Sequence, residues 1–373
     1  MKEFVKVGRL PFQIILLFPF ICLSQIKSDN QLKSKLDSLV DQNVQKYFKD
    51  PKAVALSIGM VLNGKNYFYN YGETEVGNST LPTKNTIYEL GSITKTFTGI
   101  MLAQAVVDKK INLNDDIRKY LKGDYPNLEY NGKAITIQDL SNHTSRITRI
   151  FPNLWKRAEW DSLNPYKSYT KKLLFEGLHE FKMDTLPGVK YTYSNMGTGV
   201  LGTIIEDVYH DGYFNLASKY ILKPLKMSNT TIDLSKVAKS NIAMPHNKKS
   251  EIIPLWDNAE IYAIGALRSN AVDMVKYISA NNAEKMPSIA LSHKFTFKGT
   301  EGDMGLNWFM HTTSEGIKIY EHGGGTGGSR SSLDCFPDLD SGFIILTNSL
   351  ANRNDLEKDL RTMIMDLNKN SNP

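Results

Sequence analysis

Cysteine is almost missing from this chain: its 373 residues include two, Cys22 and Cys335. That excludes a disulfide-stapled scaffold and any multi-cysteine zinc or iron–sulfur site. The seven histidines are scattered, with no H-E-x-x-H and no i, i+4 pair, so neither a metal nor a cofactor is implied. Charge of one sign is also scarce. Lys plus Arg is 45 against 39 for Asp plus Glu, spread thinly and without a long like-charge run, so nothing reads as a nucleic-acid arm. No G-x-S-x-G occurs, which disfavours a Ser-His-Asp hydrolase of the nucleophile-elbow kind. Beyond the N-terminus no segment approaches the length of a membrane span. What remains is 41% hydrophobic and 23% charged, the composition of a folded protein with a sizeable core.

The first 25 residues differ from the rest. Lys2, Lys6 and Arg9 precede an apolar stretch, Pro11 to Leu23, and polar Ser24-Gln25 follows. This is the pattern of a secretory signal peptide over 1–25, with an uncleaved anchoring helix as the alternative. Bulky Phe20 and Ile21 before Cys22 argue against a lipid attachment there. Cleavage leaves 26–373 as a secreted or periplasmic chain with Cys335 alone, hence no disulfide even under oxidising conditions.

Apolar spacing predicts helices over Gln31–Phe48, Ile93–Val107, Asn270–Ser279 and Asp355–Leu367. Val54–Met60 and Tyr67–Tyr71 read as strands of a hairpin turning at Asn63-Gly64. A short strand is expected at Thr86–Leu90, and more at Met304–Thr312, Ile317–Tyr320, Ser331–Phe336 and Phe343–Thr347. Between them, Asn112 to about Ser250 is mostly helical in pattern, broken by Pro126, Pro152, Pro165 and Pro187. The economical packing is an α/β chain of the α+β type. One antiparallel sheet is drawn from both chain ends (about 26–110 and 255–373) and flanked by helices, with a mostly helical subdomain (about 111–254) inserted.

Three motifs carry chemistry. Ser92-Ile93-Thr94-Lys95 puts a serine and a lysine at i and i+3, on one helix face, so the amine reaches the hydroxyl and can act as its base. The spacing recurs at Ser24/Lys27 and Ser168/Lys171, but only Ser92 sits where a strand turns through a glycine into a long apolar helix. Taken alone, Ser92 reads more readily as a plain helix N-cap. Tyr193-Ser194-Asn195 lets a phenol and an amide line one cleft, with Tyr193 a candidate base or proton relay. His322 to Gly328 holds five glycines in seven residues, either a flexible turn or a backbone built for close approach to a ligand.

In this order the motifs resemble those of the serine β-lactamase and D-Ala-D-Ala peptidase superfamily, in its class C-like branch. The likeness runs from about Val54 to Asn348. It includes Ser141-Asn142-His143-Thr144-Ser145, Gly265-Ala266-Leu267-Arg268-Ser269 with Asp273-Met274, and Gly305-Leu306-Asn307-Trp308. The resemblance implies a β-lactamase/transpeptidase-like fold and an acyl-enzyme mechanism. Ser92 is then the nucleophile, Lys95 its base and Tyr193 the relay, with Asn195, His322, Gly324 and Gly325 binding substrate. The N–H groups of Ser92 and Gly325 would form the oxyanion hole. His143 reads as a structural residue. Arg146 stands where glycine is usual, Gly327 where proline is common, and His322 where β-lactamases carry lysine. A mostly neutral histidine weakens the grip on a β-lactam carboxylate, tilting the expectation toward short acyl esters or D-amino-acid peptides over β-lactams; Arg330 is a candidate replacement cation. The alternatives are a β-lactamase proper and a catalytically silent penicillin- or cell-wall-binding protein.

Overall fold

A computed structural model describes residues 26–300 and 302–369; the signal peptide expected over 1–25, with Cys22, lies outside them. Helix α1 (Lys35–Tyr47) begins later than its apolar spacing predicts because Ser34 caps it. The Ser34 hydroxyl accepts from the Asp37 N–H, and the Asp37 carboxylate accepts from the Ser34 N–H. Strands β1 (Ala55–Leu62) and β2 (Lys65–Gly72) form the expected hairpin. Its two turn residues, Asn63 and Gly64, have φ of 49° and 73°, the left-handed pair that a type I′ turn demands.

The chain continues through β3 (Tyr88–Glu89), α2 (Thr94–Val107), β4 (Glu129–Tyr130), β5 (Lys133–Ala134), α3 (Ile137–Ser141), α4 (Lys171–Glu180), α5 (Asn195–Tyr209) and α6 (Tyr213–Ala217). It then returns as β6 (Arg268–Ser269), α7 (Ala271–Ala283), α8 (Pro287–Ser292), β7 (Phe297–Lys298), β8 (Asp303–Met304), β9 (Phe309–Thr312), β10 (Lys318–Gly325), β11 (Arg330–Phe336), β12 (Ser341–Thr347) and α9 (Asn354–Lys369).

Eight strands make one antiparallel sheet in the order β2-β1-β12-β11-β10-β9-β8-β7, so strands from the two ends of the chain meet where β1 pairs with β12, one strand in from the β2 edge. Side chains alternate across it. Leu56, Ile58, Phe343 and Ile345 face the terminal helices α1 and α9, whereas Leu333, Cys335, Ile344 and Leu346 face α2 and α7. The architecture is therefore α+β, with helices on both faces of the sheet.

Three local expectations are corrected. The stretch 111–254 carries more loop than helix, because its prolines and the left-handed residues His143, Arg146, Ser168 and Gly188 stop helices after a few turns. The run Met304–Thr312 is two strands, split where Asn307 turns at φ 58° and Trp308 buries its ring in the core. Strand β10 runs on through the glycines, so His322–Gly325 is strand, and the turn is Thr326–Ser329. Low strand propensity hid this extension. The glycines are there for contact: a Cβ on Gly324 would lie 2.0 Å from the Leu90 carbonyl oxygen and 2.2 Å from Ser331 Oγ.

Candidate active site

Ser92 sits in a single 3₁₀ turn, Gly91–Ile93, between β3 and the buried helix α2. Gly91 has φ 52°, and a Cβ there would lie 2.6 Å from the Gly325 nitrogen. Two glycines thus let the end of β10 press its backbone against the serine turn. Lys95, the second residue of α2, is fully buried; its Nζ donates to the Ile264 carbonyl at 2.8 Å and to Ser92 Oγ at 3.1 Å. Burial, reinforced by the Arg149 charge, holds the Lys95 amine well below its ordinary pKa. An amine whose positive charge is disfavoured by burial, set beside a serine hydroxyl, is placed to accept its proton.

Tyr193 completes the centre. Burial pushes its phenol up, against the pull of a hydrogen bond with Ser92 and of the Arg149 charge. Lys95 Nζ lies 5.0 Å from its ring centroid and the Arg149 guanidinium carbon 4.9 Å. Two residues on, α5 begins, with Ser194 as its cap. The Asn195 N–H donates to the Arg149 carbonyl at 3.0 Å and its Nδ2 to Tyr166 at 3.2 Å, while its Oδ1 is buried without a partner.

His322, on β10, is buried, and its Nδ1 lies 2.7 Å from the Gly323 carbonyl. A carbonyl only accepts, so the proton is on Nδ1 and Nε2, which has no protein partner, carries a lone pair. Burial and then the Lys95 charge lower its pKa to about 4. His143 packs its ring 4.4 Å from that of Tyr193, accepts from the Ser194 N–H at Nδ1, and receives the Thr192 N–H on its carbonyl.

The backbone of Gly325 and the side chains of Ser92, Lys95, Tyr193, Asn195 and His322 therefore converge on one cleft of about 820 Å³. The comparisons with known proteins agree with that geometry: the family model "Beta-lactamase" matches residues 40–364. The chain belongs to the beta-lactamase family. It is 27% identical over 286 residues to a beta-lactamase of Providencia stuartii, covering 75% of this chain and 67% of that one. It is 24% identical over 333 residues to the D-alanyl-D-alanine-carboxypeptidase/endopeptidase AmpH of Escherichia coli, covering 83% and 84%. Among solved structures, a beta-lactamase/D-alanine carboxypeptidase from Yersinia pestis superposes with TM-score 0.77 at 21% identity, over 88% of this chain and 97% of that one. That likeness establishes the beta-lactamase/transpeptidase fold.

The formal charges lining the cleft are of one sign. Among the described residues no Asp or Glu lines it, and three arginines do: Arg149, Arg330 and Arg353. Arg330 donates to the Thr326 and Ser329 carbonyls, both at 2.8 Å, which settles its direction toward the cleft. Arg353, from the segment before α9, donates to Ser332 Oγ at 2.5 Å, and its Nη2 lies 3.0 Å from where a Gly323 Cβ would stand. Arg146 points elsewhere, into an ion pair with Asp184, so its effect on the pocket is indirect. Its φ of 65° explains why glycine suits that position better.

Sequence reasoning missed Arg149, Arg353 and Glu89. The Glu89 carboxylate is buried beside the serine turn and accepts from the Trp256 N–H (2.7 Å), Thr326 Oγ1 (2.6 Å) and Ser329 Oγ (2.9 Å). It ties the turn after β10 to the strand before Ser92. The one available signal was an acid immediately before the apolar-glycine step into S-x-x-K.

Proposed function

We propose that the protein is an exported serine hydrolase that forms an acyl-enzyme on Ser92 and hydrolyses an ester or amide: a short acyl ester, a D-amino-acid peptide or a β-lactam. The observation that carries this reading is the buried Lys95 amine 3.1 Å from Ser92 Oγ. Lys95, its ammonium form disfavoured by burial, takes the Ser92 proton as Oγ adds to the substrate carbonyl. Tyr193 remains a phenol at neutral pH, hydrogen-bonded to Ser92, and donates its proton to the departing oxygen or nitrogen, recovering one from Lys95. Water then adds to the acyl carbon by the reverse proton path and releases Ser92. The N–H groups of Ser92 and Gly325 stabilise the oxyanion, each donor contributing about 3–4 kcal/mol. Asn195 offers its unpartnered Oδ1 to a substrate donor. Gly324 lets β10 lie close enough to pair with substrate, and the neutral His322 offers an acceptor.

The substrate enters between the sheet part (about 26–110 and 255–373), which supplies Ser92 and Lys95, and the part between (about 111–254), which supplies Tyr193 and Asn195. Mass spectrometry after fluorophosphonate or penicillin treatment tests the reading: an adduct on Ser92, absent in Ser92→Ala, is expected, and an adduct elsewhere refutes it. Export is tested by sequencing the secreted N-terminus, expected between about Leu23 and Ser28.

A second reading, a β-lactamase in the narrow sense, gains from Arg330 and Arg353. These restore beside β10 the positive charge that a neutral His322 gives up, and so favour a carboxylate on the leaving half of the substrate. Comparing kcat/KM for p-nitrophenyl acetate, a D-Ala-D-Ala peptide and nitrocefin decides between them.

A further inference from the structure

Eight arginines lie within the described residues. Seven donate from their guanidinium groups to a protein oxygen: Arg118 and Arg146 to carboxylates, Arg157, Arg268 and Arg330 to backbone carbonyls, Arg353 to Ser332, and Arg361 to an acidic cluster. Arg149 does not. Its guanidinium lies over the Tyr193 ring at 4.9 Å, exposed to the cleft, with no hydrogen-bond or carboxylate partner among the described residues. An arginine whose guanidinium sits over an aromatic ring keeps its fork of donors free for a ligand. Among the described residues the cleft it faces has no acid to neutralise it.

The three cleft arginines stand on two walls. Arg330 and Arg353 flank the glycine end of β10, on the strand wall. Arg149 belongs to the opposite wall, tied to Tyr193 through its side chain and to Asn195 through its carbonyl. A substrate whose carbonyl is seated at Ser92 lays one half along each wall. This step rests on the hydrolase reading and takes the leaving half along the strand wall beside Arg330 and Arg353, which leaves the acyl half to meet Arg149.

We infer that Arg149 grips a carboxylate on the acyl half of the substrate, so that the preferred substrate is an ester or peptide bearing an anionic acyl group. The two-wall arrangement makes such a substrate negative on both sides of the scissile bond when its leaving half is also acidic.

The test compares, on the same enzyme preparation, the 4-nitrophenyl hemiester of adipic acid with its methyl ester, which differ in one acyl-side charge. In the unaltered protein kcat/KM for the anionic ester should exceed that for the neutral one by about tenfold, carried in KM and shrinking as salt is raised. Arg149→Met should bring the ratio to about one, and Arg149→Lys should restore part of it. Because both substrates are read on each variant, partial loss of folded enzyme cancels. A second pair, 4-acetoxybenzoate and its methyl ester, puts the charge on the leaving side; its ratio should survive Arg149→Met. A ratio near one in the unaltered protein, or one unmoved by Arg149→Met, overturns the inference while leaving the hydrolase intact. Loss of the leaving-side preference in its place overturns the acyl-side assignment. Hydrolysis of none of the four esters overturns the hydrolase reading and this inference with it.

Discussion

Strands β10 and β11 carry charged groups on both faces, and the two faces treat them in opposite ways. Toward α9, Glu321, Asp334 and Glu357 converge on Arg361, with His311 3.0 Å from Glu321. Every charge there has a partner inside the protein. Toward Ser92, one residue along β10, His322 faces a cleft whose cations have carbonyls, a hydroxyl or an aromatic ring for company, but no acid lining it. Matched charge holds a helix on a sheet; unmatched charge is left for a ligand. The contrast separates what builds the fold from what the site uses, and mutations on the two faces should report on different observables.

The largest effect is expected on the cleft face. Ser92→Ala should reduce kcat for any accepted substrate by at least about 10⁴-fold, while urea midpoints stay close to the parent value. Activity surviving in Ser92→Ala would erase the distinction between the faces. On the other face, Arg361→Leu strands three carboxylates, and with Arg361 about a quarter exposed the cost should lie near the lower end of the range for broken buried pairs, about 3 kcal/mol by urea unfolding. A change below about 1 kcal/mol would mean that the α9 face is no better compensated than the cleft.

Gly324→Ala sits where the faces meet. Its methyl would overlap the Leu90 carbonyl and Ser331 Oγ, so β10 must move off the serine turn. Stability should fall by about 1–3 kcal/mol, with a drop in kcat larger than the folded fraction explains.

The pH profile sharpens the same contrast. Because the folded protein lowers the His322 pKa to about 4, its imidazole stays neutral from neutrality down to that pH, and protonation from this group should appear only as pH falls through about 4. An inflection near 6.5 in kcat/KM for a neutral ester, abolished by His322→Gln, would contradict this. The smallest effect is Arg149→Met on stability: an unpaired exposed guanidinium leaves no acid stranded, so unfolding should shift by no more than about 0.5 kcal/mol.

Local chemistry made much of this legible. Ser92 and Lys95 are neighbours by helical spacing, the hairpin at Asn63-Gly64 by turn chemistry, and the sheet's two-ended origin by where strand-like runs fall. Two of the cleft's arginines, Arg149 and Arg353, were not legible, because the loop path that delivers them is set by tertiary contacts. Arg149 arrives beyond two left-handed residues, His143 and Arg146, whose reversals no spacing rule foretells. Arg353 reaches the site from the connection into α9, across the gap that Gly323 leaves. The glycine run was misread for a related reason: propensity assigns glycine to a turn, while contact with Leu90 requires it in a strand.

The pairing of β1 with β12 has a bearing on how the chain reaches this state. Leu56 bonds into register with Thr347, and the Ala55 N–H donates to the Asn348 side chain across 293 positions of sequence. The first hairpin to leave the ribosome has no neighbour until almost the last strand has been made. A nascent chain of this design cannot close its sheet around the hairpin early; the β12 side of β1 stays unpaired, and in need of protection, until β12 has been made.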